Sequence, residues 1–311
     1  MIAAVLSVHA GDIQAAHSLM RWIASLGQCP FDLVICADAG TPFDQVMELK
    51  AIADPVFLST HTISTDKPVN GWPTGSNANW TRAAKWAKEN NRAFLFMEPD
   101  AIPIKREWLE QINEAYLKCG SKYFGYIYKC HQPFMPDKIM SGIAVYPPSA
   151  IDEMAPLPLT PRAWDIDAAP VMVGNGKHTD LIRHLWGQAN LPPTFVEVKD
   201  ANSPINAFTL DWLPPACVLF HRNKDGTLID LLSAKYGITS TPKGDGLLVV
   251  LPFCNKDSLR MAQTVNWMAQ LGGSEEYDAL LSYESTTAPQ HVLAVTQAAR
   301  RCFRTVAATS Y

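Results

Sequence analysis

The stretch FLFMEPDAIP, residues 94–103, decides how this chain is read. Apolar residues fit for a buried strand end abruptly in Glu98-Pro99-Asp100, and Pro103 closes the segment. A core strand that ends on two carboxylates has one of two explanations. Either the chain has reached solvent, where acidic turn residues are ordinary, or the strand delivers Glu98 and Asp100 to a cation. The flanking sequence has to choose.

Upstream, strands and helices alternate. Residues 2–8 (IAAVLSV) read as a strand and 12–26 as a helix, with Asp12 at the N-cap position and Gly27 at the C-cap. FDLVICAD (31–38) is a second strand, again ending on an acid, followed by a helix over TPFDQVMELKA and a short strand at 54–60. A loop rich in Ser, Thr, Pro and Gly then leads into a helix at 77–90 and the strand at 93–97. This order predicts an α/β fold: a Rossmann-like mixed, mostly parallel sheet with helices on both faces. The strand ends Ser7–His9, Asp38 and Glu98–Asp100 would then share one edge, where open α/β sheets bind ligands. Downstream, the pattern predicts a helix at 106–119 and strands at 122–130 and 139–148, the latter with a glycine where something approaches closely. A proline-rich irregular stretch (147–170), a helix at 177–189, strands at 195–198 and 216–221, and a further helix complete it.

Composition narrows the classes. With 48% hydrophobic and 18% charged residues and a net charge of −4, the chain reads as a soluble globular protein without a bulk basic field for nucleic acid or membranes. No apolar run is long enough to cross a bilayer. The opening MIAAVLSVHAGD lacks a basic n-region and a cleavage site, so it reads as a core strand, and the expected compartment is the cytoplasm. Seven scattered cysteines without a CxxC pair fit buried thiols in a reducing compartment. Trp72, Trp80, Trp86 and Trp108 read as packing residues rather than base-stacking platforms.

The segment 246–273 repeats the opening. A shift of 245 residues aligns VLSVHAGDIQAAHSLMRWIASLG with VLPFCNKDSLRMAQTVNWMAQLG, matching Asp12 with Asp257 and Trp22 with Trp267. One inserted residue later, FDLVICAD meets YDALLSYE, and Asp38 meets Glu284. Two domains are expected: a main one over 1–240 and a partial second copy over 246–311; either that copy packs onto the first domain, or a further domain of the same kind follows residue 311.

A βαβαβ half, the helix start Gly75-Ser76-Asn77 and a strand ending in acid-x-acid together resemble the GT-A fold of nucleotide-sugar glycosyltransferases. In that family the acid-x-acid element coordinates a divalent metal that grips the donor diphosphate. The resemblance implies Glu98 and Asp100 as ligands of Mn²⁺ or Mg²⁺, although the chain departs from the usual pattern with Glu first and Pro between. Alternate residues of an extended segment point the same way, so both acids can reach one hard cation. The late segment LFHRNKDGT (219–227) implies His221 as third ligand and Lys224 as a diphosphate contact. Together with EPDAIP, it resembles bacteriophage-encoded glycosyltransferases, which would place the protein in a host's cytoplasm. By position in the fold, Ser7, His9, Asp12 and Asp38 would line the nucleotide pocket, and Asn77 and Arg82 would face the sugar or diphosphate. Asp165 and Asp167 are the candidates for activating the acceptor.

Plainer readings stand beside these. Asp12 serves equally as an N-cap, Arg82 as an exposed helix residue, His221 as a satisfied strand-end histidine, and the two aspartates as surface loop residues. The function implied is a metal-dependent hexosyl- or pentosyltransferase using a nucleotide-diphosphate sugar, with a UDP-sugar favoured as donor. A hydroxymethylated pyrimidine in phage DNA is one specific acceptor. That acceptor would require a local basic rim, for which Arg162, Lys177, Arg183 and His184 are candidates. Two rival classes remain: a sugar-phosphate nucleotidyltransferase, whose glycine-rich basic loop SVHAGD lacks, and a non-catalytic nucleotide- or carbohydrate-binding protein.

Overall fold

The computed structural model describes residues 1–69, 71–130, 135–154, 162–184, 210, 213–221, 227–236, 248–271, 278–300 and 305–310. The chain forms two compact units, Met1–Ser240 and Thr241–Tyr311.

The first unit opens β1 (Ala3–Val8), α1 (Ile13–Leu26), β2 (Cys29–Ala37), α2 (Phe43–Ala53), β3 (Phe57–Ser64), α3 (Thr74–Glu89) and β4 (Phe94–Met97). It continues with β5 (Ala101–Pro103), α4 (Trp108–Cys119), β6 (Tyr123–Lys129), β7 (Lys138–Tyr146), α5 (Ala150–Met154), α6 (Trp164–Asp167) and α7 (Ala169–Gly174). Then come β8 (Gly176–His178), β9 (Ile182–His184), β10 (Leu219–His221) and the helix Thr227–Tyr236. The main sheet runs β3-β2-β1-β4-β7-β6-β8. All its neighbours pair in parallel except β7, which lies antiparallel to both β4 and β6. The architecture is therefore a mixed, mostly parallel α/β sheet with helices on both faces.

Period-two alternation builds both faces. Ala4, Leu6 and Val8 of β1, Leu33 and Ile35 of β2, and Leu95 and Met97 of β4 enter one core with α1, α2 and α4. Val5, Val34, Phe94 and Phe96 enter the other, against Trp80, Ala83 and Ala84 of α3 and Trp164 of α6. Trp22 does more than fill space: its buried indole N–H donates to the Pro103 carbonyl at 2.7 Å, tying α1 to the strand that follows the two acids.

The segment expected to be helical at 177–189 differs. Residues 176–184 form β8 and β9 instead, with Gly176–His178 beside Tyr123–Gly125 and Ile182 opposite Leu219. Pairing with edges already present in the fold outweighs the local helical spacing, whose preference is worth only tenths of a kcal/mol per residue. The remainder of that segment, and the strand expected at 195–198, lie outside the described residues.

The second unit has β11 (Leu248–Phe253), a helix Ser258–Leu271, β12 (Asp278–Tyr283), a helix Pro289–Arg300 and β13 (Thr305–Ser310), its strands parallel in the order β11-β12-β13. Its register copies the first unit. Val5 faces Val34 and Val250 faces Leu280; Asp32 faces Ser59 and Asp278 faces Thr305. Turns repeat as well: the Asp12 and Asp257 N–H groups donate to the His9 and Cys254 carbonyls at 3.1 Å, and those of Thr41 and Thr287 to the Asp38 and Glu284 carbonyls at 2.8 Å. The correspondence of register between the two units thus extends through β13.

Candidate active site

The parallel strands bring their carboxyl ends to one edge, and the acids sit there. Glu98 and Asp100 follow β4 directly. They do not occupy the extended segment that their spacing suggested. The Ala101 N–H donates to the Glu98 carbonyl at 2.9 Å, so the acids converge across a tight turn. β5 then pairs antiparallel with β10, placing Ala101 opposite His221. This pairing sets an imidazole from a distant part of the chain against both carboxylates. His221 Nε2 lies 3.2 Å from Asp100 Oδ1 and 3.3 Å from Glu98 Oε2.

The three side chains are 23%, 4% and 11% exposed for Glu98, Asp100 and His221, and one ligand atom from each falls within 4.8 Å of the others. Two carboxylates so far out of water need a positive charge between them. Protonated His221 supplies one: burial pulls its pKa down, but Asp100 first and then Glu98 overcome this and hold it above the ordinary value. A divalent cation, ligated by the neutral imidazole, would take that proton's place. Two carboxylates are hard donors and an imidazole is a borderline one, a set that fits Mn²⁺ better than Mg²⁺ of the two ions that the resemblance implied. The ring of His184, opposite His221 on β9, packs edge-on against His221 with centroids 4.7 Å apart, and Tyr128 stacks on His184 at 5.7 Å.

The two aspartates of α6 part company. Asp165 is half-buried, and its Oδ2 accepts the Gly142 N–H at 3.1 Å. Burial, followed by the Glu98 charge, pushes its carboxyl up to about 6, against smaller opposing pulls from the Gly142 N–H and His221. Asp165 therefore belongs electrostatically to the acid–histidine cluster. Asp167 lies 3.9 Å from the Arg162 guanidinium instead. Glycine at 142 is a steric necessity: a Cβ there would meet Trp164 Cζ2 at 2.7 Å and Asp165 Oδ2 at 3.4 Å. Gly142→Ala is expected to cost about 1–3 kcal/mol of stability by overpacking, read as a lower urea midpoint at unchanged slope. An unchanged midpoint would mean that the Trp164 contact yields freely.

The residues placed at the nucleotide edge by sequence have identifiable partners. Asn79, 0% exposed on α3, was not singled out; its amide donates to Ser7 Oγ at 2.9 Å and the Val8 carbonyl at 3.3 Å, and lies 3.2 Å from His9 Nε2. The only hint in sequence is a second Asn in the helix start GSNANW. Asp12 makes no side-chain cap bond to its helix; its carboxylate takes the His9 N–H at 2.6 Å and shapes the β1–α1 turn. Asp38 is buried and accepts from the Gly40 and Val69 N–H groups, each at 2.8 Å, and from the Thr65 hydroxyl at 3.3 Å. Asn77 has both ends of its amide engaged with residues 162 and 164, and Arg82 donates to the Ser64 carbonyl. Lys224 lies outside the described residues. Trp80 and Trp108 are buried as expected, but Trp72, read as a packing residue, is 74% exposed beside the start of α3.

No protein-family profile matches the chain, and no curated protein matches its sequence. Solved structures with a similar backbone include the galactosyltransferase LgtC in complex with donor and acceptor sugar analogs (9% identity, 78% of this chain and 99% of that one, TM-score 0.48). The glycosyltransferase GlyE of Streptococcus pneumoniae TIGR4 aligns at 9% identity over 98% of this chain and 79% of that one, with a TM-score of 0.41. The bifunctional glycosyltransferase WbbM aligns at 9% identity over 77% of this chain, with a TM-score of 0.46; the match spans only 52% of WbbM's length. At such identities and TM-scores, none of these likenesses decides what this chain does. Among the described residues, no helix is long and apolar enough to cross a membrane.

Proposed function

We propose that this protein is a GT-A-like, metal-dependent glycosyltransferase that moves a sugar from a nucleotide-diphosphate sugar to a hydroxyl acceptor. The observation that carries the reading is the Glu98–Asp100–His221 cluster, two carboxylates and an imidazole with ligand atoms within 4.8 Å of one another at the carboxyl edge of the mostly parallel sheet. A divalent cation held by these side chains would neutralise charge on the departing nucleoside diphosphate. Lys224, three residues past His221 in sequence, is proposed to steady the same diphosphate. Ser7 and His9, oriented by Asn79, and the loops pinned by Asp12 and Asp38 would shape the nucleotide end, with a UDP-sugar as the first donor to test.

Asp165 is the proposed general base. Titrating near 6, it is mostly ionised at neutral pH and still a competent proton acceptor. Its carboxylate takes the proton of the acceptor hydroxyl as that oxygen bonds to the anomeric carbon and the bond to the nucleoside diphosphate breaks. Asp167, beside Arg162, is proposed to hold sugar hydroxyls. Residues 1–240 would carry the activity, with 246–311 a partial copy of its nucleotide-binding half.

For the acceptor, a saccharide or small-molecule hydroxyl is favoured over a base in duplex DNA. The basic rim needed for DNA is depleted here: Arg183 is paired with Asp180 at 2.6 Å, and His184 is buried against His221. The test is release of nucleoside diphosphate from a panel of UDP-, GDP- and CDP-sugars with Mn²⁺ or with chelator. Chelator-sensitive turnover of one donor, rising with a saccharide acceptor, is expected. Binding of nucleotides without turnover of any donor would favour a non-catalytic module.

A further inference from the structure

We infer that Asn77 is the positioning residue for Asp165, fixing the base across the sheet edge rather than contacting the donor. The inference rests on the proposed role of Asp165 in transfer. Asn77 is 1% exposed and commits both ends of its amide to one short segment: Nδ2 donates to the Arg162 carbonyl at 2.7 Å, and Oδ1 accepts the Trp164 N–H at 2.9 Å. Ala163, between those two groups, is extended. The side-chain amide therefore pairs with the backbone as a neighbouring strand would.

That support is needed. α6 has four residues, too few to be stable alone, and its N-cap residue, Ala163, offers no side-chain cap. The anchor continues on both sides of Asp165. Trp80, one turn beyond Asn77 on α3, stacks on Trp164 at 6.1 Å. Trp164 Nε1 donates to the Tyr146 hydroxyl at 3.2 Å, and Tyr146 donates to the Gly142 carbonyl at 2.8 Å. The Gly142 N–H closes the circuit on Asp165 Oδ2. Gly142 can give up that N–H because it lies where the β6–β7 register shifts, between the Met140 and Ala144 pairings. α3, α6 and β7 thus hold one carboxylate from three directions, and Asn77 is the link that fastens α6 to α3.

Displacement of about 1 Å is enough to cost roughly 100-fold in rate. Asn77→Ala is expected to lower kcat 30- to 100-fold, with the donor KM and Mn²⁺ affinity changed less than threefold. In an Asp165→Asn background the same change is expected to cost nothing further, because contacting residues acting through one group are not additive. An equal loss in both backgrounds overturns the inference. A readout independent of turnover is amide exchange at Gly142 in the metal-free protein. Exchange at least tenfold faster in Asn77→Ala, with β1 amides unchanged, is expected, and unchanged protection at Gly142 overturns the inference. If Asn77→Ala does not fold, Asn77→Asp, which keeps an oxygen for the Trp164 N–H and loses the donor to the Arg162 carbonyl, is measured in the same way. Should wild type turn over no donor, the transferase reading fails on that result, while Gly142 exchange still decides whether Asn77 holds Asp165.

Discussion

Asp165→Asn is expected to raise the melting temperature of the metal-free protein at pH 7.5 while cutting sugar transfer by roughly 10²- to 10⁴-fold, the usual worth of a general base. The folded protein holds the Asp165 carboxyl near 6, against an ordinary 3.8. Between those values the native state binds more protons than the unfolded chain, so stability falls as pH rises. The penalty is absent below about pH 4 and complete above about pH 6, on the order of 3 kcal/mol from the size of the shift. Asparagine removes the charge and keeps an oxygen for the Gly142 N–H. Its gain, roughly 5 °C or more, should be full at pH 7.5 and should fade as pH falls through 6 towards 4. Melts with chelator across pH 4–8 check this. Equal melting temperatures at pH 7.5, or a gain that persists at pH 4, would contradict a strained carboxylate. Such a site trades stability for function.

Asp100→Ala should have the largest effect on ligand binding. Asp100 is the most buried of the three donors and the charge that does most to raise His221. Its loss leaves one carboxylate and one imidazole, and divalent-metal affinity is expected to fall at least about 100-fold, beyond the 10- to 100-fold cost of losing an outer-shell partner. The metal-free stability should change with the opposite pH sign to Asp165. His221 is raised by its acids, so its pairing contributes stability that is complete below the unfolded value of 6.5 and is lost as pH rises through the folded value. Asp100→Ala should therefore be most destabilised in chelator at pH 5–6, with the gap to wild type narrowing at higher pH. A constant gap across that range would mean that the His221–Asp100 contact adds nothing.

Much of this was legible because it is local. Apolar runs with period-two faces mark β1, β2 and β4, and the matched Asp12/Asp257 and Trp22/Trp267 positions mark the repeat whose registers the two units share. The convergence of Glu98, Asp100 and His221 was implied by the family resemblance, and the structure brings the three side chains together. What was hidden depends on pairing at long range. Asn77 meets residues 85 and 87 positions away, and nothing near it announces that. The helix expected over 177–189 gave way to edges supplied by β6 and β10. The backbone N–H groups that the Asp12 and Asp38 carboxylates take in their own turns and loops were likewise not legible, because propensity does not reveal such local bonds.

The most direct test of the central claim is a Mn²⁺ titration followed by electron paramagnetic resonance on wild type, Asp100→Ala and His221→Ala, with and without UDP. One site per chain in wild type, tightened by UDP and weakened at least 100-fold in both variants, is the result this account predicts. No Mn²⁺ site, or a site that both variants retain, would contradict it and leave Glu98-Pro99-Asp100 as an acidic turn paired with a histidine.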